Sequence, residues 1–122
     1  MNFRTAFFGV LTALWAGFIF YKSGQASPLG APIPEWVAVA LHFSEYALLG
    51  VLASCFGVGL KGGRRNVYFA VWAACILYGV SDELHQFLVP GRVADFFDVT
   101  VDAAGSGFGV LVVSLAAAII RR

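Results

Sequence analysis

The stretch SDELHQFLVPGRVADFFDVTVDAAGSGFG, from Ser81 to Gly109, holds five of the seven carboxylates in a chain of 122 residues. At its middle, Val-Pro-Gly-Arg at positions 89–92 predicts a turn, because proline and glycine both interrupt helices. Long apolar runs lie on both sides of this turn. The stretch therefore predicts two apolar helices connected at one end, with their acidic side chains gathered at that end.

The whole chain has the composition of a membrane protein. Hydrophobic residues make up 60% of it and charged residues 12%, and the mean hydropathy is +0.82. Soluble domains carry about twice this fraction of charge. Four apolar runs are each about 20 residues long, enough to cross the hydrocarbon core of a bilayer. The prediction is an all-α, polytopic membrane protein with a single domain over residues 1–122. Its bundle of four transmembrane helices is predicted at about residues 5–21, 36–60, 66–88 and 95–120.

Basic residues predict how the helices are oriented. With four spans, six basic residues fall on one side of the membrane: Arg4, three in the basic turn at 61–65 and the two C-terminal arginines. Two fall on the other side, Lys22 and Arg92. The positive-inside rule then places both termini in the cytoplasm and the acidic stretch outside. The first run has some features of a secretory signal, but its bulky aromatic end favours a helix that is retained.

Two other classes of function find no support in the sequence. The net charge of +1, without a basic stripe, predicts no nucleic-acid partner. Cys55 and Cys75 lie inside apolar runs and have neither metal-site spacing nor the context of a disulfide framework. They are predicted to be small core residues.

Polar residues of three predicted helices share one depth in the membrane. At a rise of 1.5 Å per residue, His42 and Glu45 lie about 10 to 15 Å along the second helix. The acids of the third helix fall in its last two turns, and those of the fourth in its first two turns. A carboxylate at the bilayer centre costs about 2.5 to 3.5 kcal/mol, so this convergence predicts a functional site in the outer half of the membrane. The candidate residues are His42, Glu45, Tyr46, Asp82, Glu83, His85, Gln86, Arg92, Asp98 and Asp102.

Several of these residues also have a structural interpretation. Asp95 and Asp98 could cap the fourth helix, whose positive dipole end attracts carboxylates. Glu83 could be a solvated charge at a helix end. Gly105 and Gly109 have small-xxx-small spacing, which predicts close helix packing.

Two alternatives concern pairing inside the site. His42 could hydrogen-bond to Glu45, three residues further along the same helix, or to a backbone carbonyl. Arg92 could form a purely structural ion pair with Asp82 or Asp98, because its planar fork suits a carboxylate.

These residues resemble the pattern of the VanZ-like family of small bacterial membrane proteins. The resemblance spans about Leu41 to Gly109 and has two departures: Asp102 stands where the family usually has Asn, and Ala38 and Val39 replace a frequent Asp-Lys pair. The resemblance implies a role in the envelope and cytoplasmic membrane of a bacterium, with a link to teicoplanin-type glycopeptide resistance. The matching positions are His42, Tyr46, Leu49, Asp82, Glu83, Gln86, Phe87, Pro90, Arg92, Asp98, Gly105 and Gly109.

The first functional hypothesis is a binding or accessory protein for a lipid-linked or cell-wall-related ligand. Arg92 would hold a phosphate or carboxylate of an envelope lipid or cell-wall precursor. Phenylalanines near the turn, at positions 87, 96 and 97, would meet the acyl region. The other candidate ligand-binding residues are Gln86, Asp102, Glu45, Tyr46 and His85.

The second hypothesis is a membrane-embedded hydrolase or transferase that acts on an envelope lipid. Its candidate catalytic residues are Asp82, Glu83, Asp98 and His42, as acids and bases. A divalent cation is a candidate cofactor, with Asp82, Asp98 and Asp102 as candidate ligands, because carboxylates are hard-oxygen ligands. A third hypothesis is a proton- or cation-coupled transporter, since intramembrane acids near histidine are typical relay groups.

Overall fold

The computed structural model describes residues 1–26, 30–61 and 65–120. These residues form four α-helices: α1 (Phe3–Ser23), α2 (Glu35–Lys61), α3 (Arg65–Phe87) and α4 (Phe96–Ile120). All four helices are long and apolar enough to cross a membrane. The predicted all-α bundle of four transmembrane helices is therefore confirmed, and the chain is a multi-pass membrane protein. Three segments lie outside the described residues: 27–29, between the first two predicted helices; 62–64, in the basic turn; and 121–122, the C-terminal arginines.

Two helices begin at polar capping side chains. Asn2 precedes α1, and its Oδ1 accepts hydrogen bonds from the backbone N–H of Thr5 at 2.9 Å and from the Thr5 hydroxyl at 2.8 Å. Asp95 precedes α4, and its Oδ1 accepts from the N–H of Phe97 at 2.9 Å. These bonds satisfy N–H groups that have no partner within the helix. The capping interpretation of Asp95 is thus confirmed.

A tight turn connects α3 to α4. Gly91 has a φ of 82°, in the left-handed region that glycine adopts without steric cost. The N–H of Arg92 donates to the carbonyl of Val89 at 3.1 Å. The turn reverses the chain and brings the Arg92 side chain back over the end of α3.

Glycines set the contact between α2 and α4, which is the most extensive contact between any two helices. A Cβ atom on Gly105 would collide with the carbonyl of Phe43, and one on Gly109 would collide with the carbonyl of Ala47. Gly50 of α2 is equally close to the backbone of Ser106. The predicted close packing at the small-xxx-small pair is confirmed, because the two backbones approach directly.

Aromatic side chains add hydrogen bonds between helices. Trp15 Nε1 donates to the carbonyl of Glu45 at 2.9 Å, which joins α1 to α2. The Tyr78 hydroxyl donates to the carbonyl of Ala16 at 2.5 Å, which joins α3 to α1. In the low dielectric of a bilayer such bonds specify which helix faces meet. Cys75 is buried in the same core region and Cys55 is half-buried, as predicted for core residues.

Candidate functional site

The buried polar residues of α3 and α4 gather at the end of the bundle where these two helices are connected. Asp82, Glu83 and Gln86 of α3 and Asp102 of α4 are each 5% exposed or less. His42 and Tyr46 of α2 face the same group. Three helices therefore converge on one group of polar residues, as the sequence predicts from their depth. This group is called the polar layer and consists of His42, Tyr46, Asp82, Glu83, Gln86, Asp98 and Asp102.

His42 is held by two aspartates of α4. Its Nδ1 lies 3.0 Å from Asp102 Oδ1, and its Nε2 lies 3.9 Å from Asp98 Oδ2. Asp98 therefore faces the site as well as lying in the first turn of α4. The interpretation that His42 bonds to Glu45 is wrong. Glu45 instead pairs with Lys22 of α1, because α1 crosses α2 on the side of Glu45.

A chain of hydrogen bonds runs from the connecting turn to the centre of the layer. Arg92 NH2 donates to Gln86 Oε1 at 2.8 Å, and Gln86 Nε2 donates to Asp82 Oδ2 at 3.4 Å. The same Asp82 oxygen accepts from the Tyr46 hydroxyl at 3.5 Å. The interpretation of an Arg92 ion pair with Asp82 or Asp98 is wrong for the described residues, because the Gln86 amide stands between Arg92 and Asp82.

Glu83 is buried and is not a solvated charge. It is 5% exposed, and its Oε1 accepts from the backbone N–H of Asp95, just before α4. The solvated interpretation is wrong because α4 starts directly against this face of α3. Its second oxygen, Oε2, has no hydrogen-bond partner among the described residues.

His85 is turned toward α1. Its ring stacks on Phe20 with centroids 4.1 Å apart and planes 11° apart, and its Nδ1 lies 3.0 Å from Ser23 Oγ. Both partners belong to α1. The histidine that the sequence places at the same depth as the site thus packs against the first helix.

A cavity of about 240 Å³ lies beside the polar layer, between α1, α2, α3 and the loop that precedes α2. Apolar residues of the helices and the loop complete its wall. Asp98 and Asp102 are not among the described residues that line the cavity, whereas His42, which contacts both, is. The polar residues that line the cavity are Lys22, Ser23, His42, Glu45, Asp82, Gln86 and Arg92.

Lys22 and Ser23 are site residues that the sequence prediction missed. The sequence predicts a first helix that ends at about residue 21, which places both residues in the connection to the second helix. The structure continues α1 to Ser23, which turns Lys22 and Ile19 onto one helix face, toward the cavity. The i,i+3 spacing from Ile19 to Lys22 was the signal available in the sequence.

A second cavity, of about 940 Å³, lies between α1, α2 and α3 toward the other end of the bundle. Its lining is mostly apolar, with Thr12, Asn66 and Tyr78 among the polar exceptions, and none of the described residues in this lining carries a charge. A proton or cation relay needs a succession of ionisable groups. This lining adds no such groups to the polar layer, so it gives the transporter hypothesis no support.

No three histidine, cysteine, aspartate or glutamate side chains in the described ranges come close enough together to hold a metal ion. Asp102 is engaged with His42, and Asp82 with Tyr46 and Gln86. The three aspartates that the sequence suggested as metal ligands therefore do not share one coordination point.

Divalent cations are expected to leave the melting temperature of the detergent-purified protein unchanged. A ligand that binds only the folded state raises the melting temperature, so a specific site would respond to Mg²⁺, Mn²⁺, Ca²⁺ or Zn²⁺ after EDTA treatment. Asp98→Asn is the matched variant. A rise with one cation that Asp98→Asn abolishes would contradict this expectation and establish a metal centre at the polar layer.

The fold and the site define a multi-pass α-helical membrane protein with a charged cavity inside its bundle. A family model described as VanZ/LLP1 matches residues 8–117, and the chain belongs to that family. The match includes every residue of the polar layer and confirms the resemblance seen in the sequence. No curated protein and no solved structure matches the chain.

Proposed function

We propose that the protein binds the anionic end of an envelope lipid or of a lipid-linked cell-wall precursor in the cavity beside the polar layer. The observation that carries this proposal is that the Arg92 side chain is not paired with an acid among the described residues. Its guanidinium lines the cavity, donates to the neutral amide of Gln86, and forms no ion pair with a carboxylate among the described residues. Guanidinium has five N–H donors in a planar fork that matches phosphate and carboxylate oxygens.

The surroundings of Arg92 suit an amphiphilic ligand. Phe87, Phe96 and Phe97 flank the connecting turn and are 73%, 80% and 55% exposed. Exposed apolar rings at the ends of membrane-spanning helices would lie against lipid, because the removal of apolar surface from water is favourable. A ligand whose charged group enters the cavity would keep its acyl or prenyl chains beside these rings.

The place of the site in the cell is part of the proposal. The distribution of basic residues favours cytoplasmic termini and a cavity at the outer side of the cytoplasmic membrane. Membership of the VanZ/LLP1 family supports an envelope function and a link to glycopeptide resistance. An outward cavity for a lipid-linked precursor is consistent with both.

Arg92→Ala is expected to weaken ligand binding about 10- to 100-fold, because charge-assisted hydrogen bonds are each worth about 1.5 to 3 kcal/mol. The probe is a short-chain polyprenyl phosphate titrated into phosphatidylcholine nanodiscs, with the bound fraction read by native mass spectrometry. Arg92→Lys keeps the charge but loses the fork, and an intermediate affinity is expected.

Arg65→Ala is the matched control for this experiment. Arg65 begins α3 at the opposite end of the bundle and is exposed, so its removal should not change the affinity. Equal affinities for wild type and Arg92→Ala would refute the proposal. Loss of folded Arg92→Ala protein from the membrane would instead assign Arg92 a structural role.

Acid–base chemistry on the bound group is a second candidate function, and the geometry of His42 favours it. Asp102 is 1% exposed and bonds to Nδ1, so the carboxylate fixes the orientation of the imidazole that lines the cavity. A histidine oriented in this way can take a proton from a water or hydroxyl through its other nitrogen. With Arg92 holding a phosphate, the arrangement would suit a hydrolase or transferase.

A further inference from the structure

We infer that the ligand is a phosphate ester whose substituent donates hydrogen bonds, through a hydroxyl or an ammonium group, and that Asp82 accepts from this donor. The inference rests on the proposed function, since it assumes that the anionic group lies at Arg92. The proposed function allows any anionic amphiphile as the ligand. The inference restricts the ligand to one that carries a hydrogen-bond donor close to its phosphate.

Asp82 is the group that requires a donor. It is 4% exposed and lines the cavity. Its Oδ2 accepts from both Tyr46 and Gln86, whereas Oδ1 has no hydrogen-bond partner among the described residues. The Ser23 hydroxyl lies close to this carboxyl but donates to the carbonyl of Phe20. A buried acceptor without a partner is destabilising, so a ligand that donates to Oδ1 gains more than one that does not.

The spacing between cation and acceptor is short. Gln86 accepts from Arg92 with its oxygen and donates to Asp82 with its nitrogen, so a single side-chain amide separates the two groups. A ligand that reaches both must carry its donor only a few bonds from the phosphate. Phosphoglycerol and phosphoethanolamine groups have this arrangement.

The charges around the cavity agree with this class of ligand. Lys22, the other cation in the lining, is already paired with Glu45. The cavity therefore offers the Arg92 guanidinium for an oxyanion and the Asp82 carboxyl for a donor. A choline group, which is methylated, and a simple methyl ester cannot donate a hydrogen bond and leave Oδ1 without a partner.

The test compares lipids with equal acyl chains as guests in phosphatidylcholine nanodiscs: phosphatidylglycerol, phosphatidylethanolamine and phosphatidylmethanol. Phosphatidylmethanol keeps the phosphate but has no donor. At least one of the two donor lipids is expected to bind the wild type about ten times more tightly than phosphatidylmethanol. Tighter binding of phosphatidylethanolamine would identify the donor as an ammonium group, and tighter binding of phosphatidylglycerol would identify it as a hydroxyl group. Equal binding of the two would show that the site requires a donor but does not distinguish its type. The soluble esters glycerophosphate and phosphoethanolamine, added to the same nanodiscs, distinguish a lipid headgroup from a free phosphate ester.

Asp82→Asn and Glu83→Gln form a matched pair of variants. Tyr46 and Gln86 both donate to Oδ2, so in Asp82→Asn the side-chain carbonyl oxygen would keep that position and the NH₂ group would replace Oδ1. A free acceptor would become a donor, and the tenfold preference for donor lipids should disappear. Glu83 is also a buried carboxyl with one oxygen lacking a partner among the described residues, but it does not line the cavity, so Glu83→Gln should keep the preference.

Two results would overturn the inference, and they differ in their meaning. If the wild type binds all three guest lipids equally while Arg92→Ala weakens all of them, the donor inference fails and the proposed anion site stands. If none of the three binds and Arg92→Ala has no effect with the polyprenyl phosphate, both proposals fail. The comparison of lipids on the wild type decides the first case even where Asp82→Asn does not fold.

Discussion

Replacing His42 with alanine is expected to lower the free energy of unfolding by about 3–5 kcal/mol, because removing one member of a buried hydrogen-bonded pair leaves a buried carboxylate uncompensated. The partner is Asp102, which is 1% exposed and lies 3.0 Å from His42 Nδ1. The measurement is unfolding in mixed micelles, followed by circular dichroism as the fraction of denaturing detergent increases.

His85→Ala is the matched control, since it removes the other histidine of the chain. It loses the stack on Phe20 and the contact with Ser23, worth about 1 kcal/mol each. His85 does not line the cavity, so ligand binding should persist. An equal loss of stability in both variants would show that His42 and Asp102 do not form the pair described above.

The His42→Gln variant tests whether His42 acts as a base, because it can keep the hydrogen bond to Asp102 that contributes to stability. Glutamine can still donate to Asp102 but cannot serve as a base at neutral pH. If the protein is a hydrolase or transferase, ³¹P NMR of bound lipid should show headgroup conversion by the wild type. The His42→Gln variant should bind the lipid without converting it. Binding without conversion by the wild type would leave the binding function alone.

Gly109→Ala is expected to lower the free energy of unfolding by about 1–3 kcal/mol, the usual cost of an added methyl group in a tightly packed core. The new Cβ would meet the carbonyl of Ala47 and approach the N–H of Val51, and both are backbone atoms that cannot rotate away. Helices α2 and α4 must then separate along their closest contact. The same detergent unfolding measurement tests this.

Gly17→Ala is the matched control for that substitution. Gly17 lies within α1, and an added Cβ there meets nothing within 4 Å. The change should raise stability slightly, by about 0.5–1 kcal/mol, because alanine restricts the unfolded chain and favours helix. If Gly109→Ala were as well tolerated as Gly17→Ala, the α2–α4 contact would not be limited by the glycine.

The helices and the depth of the site could be predicted from the sequence because both depend on hydropathy along one dimension. The lengths of the apolar runs located the four helices, and the rise of the helix per residue placed the acids of α3 and α4 at the same depth in the membrane. The spacing of Gly105 and Gly109 also indicated which face of α4 packs closely.

The pairing of side chains within the layer could not be predicted, because it depends on how the helices are rotated and which helix lies next to which. His42 has Glu45 nearby in sequence, yet its partner is Asp102, 60 residues away. Arg92 was expected to meet an acid and meets the Gln86 amide. Lys22 was missed because the end of α1 was set two residues early, and two residues decide whether a side chain faces the cavity.

The close contact between α2 and α4 has a consequence for how the protein is made. These helices are not consecutive, and α3 is synthesised between them. While α2 and α3 enter the membrane, the face of α2 that contacts Gly105 and Gly109 has no partner, and His42 has no aspartate from α4. The polar layer is therefore completed only when the last helix is inserted, so a ribosome-bound chain that ends before α4 would carry His42 without the carboxylates that orient it.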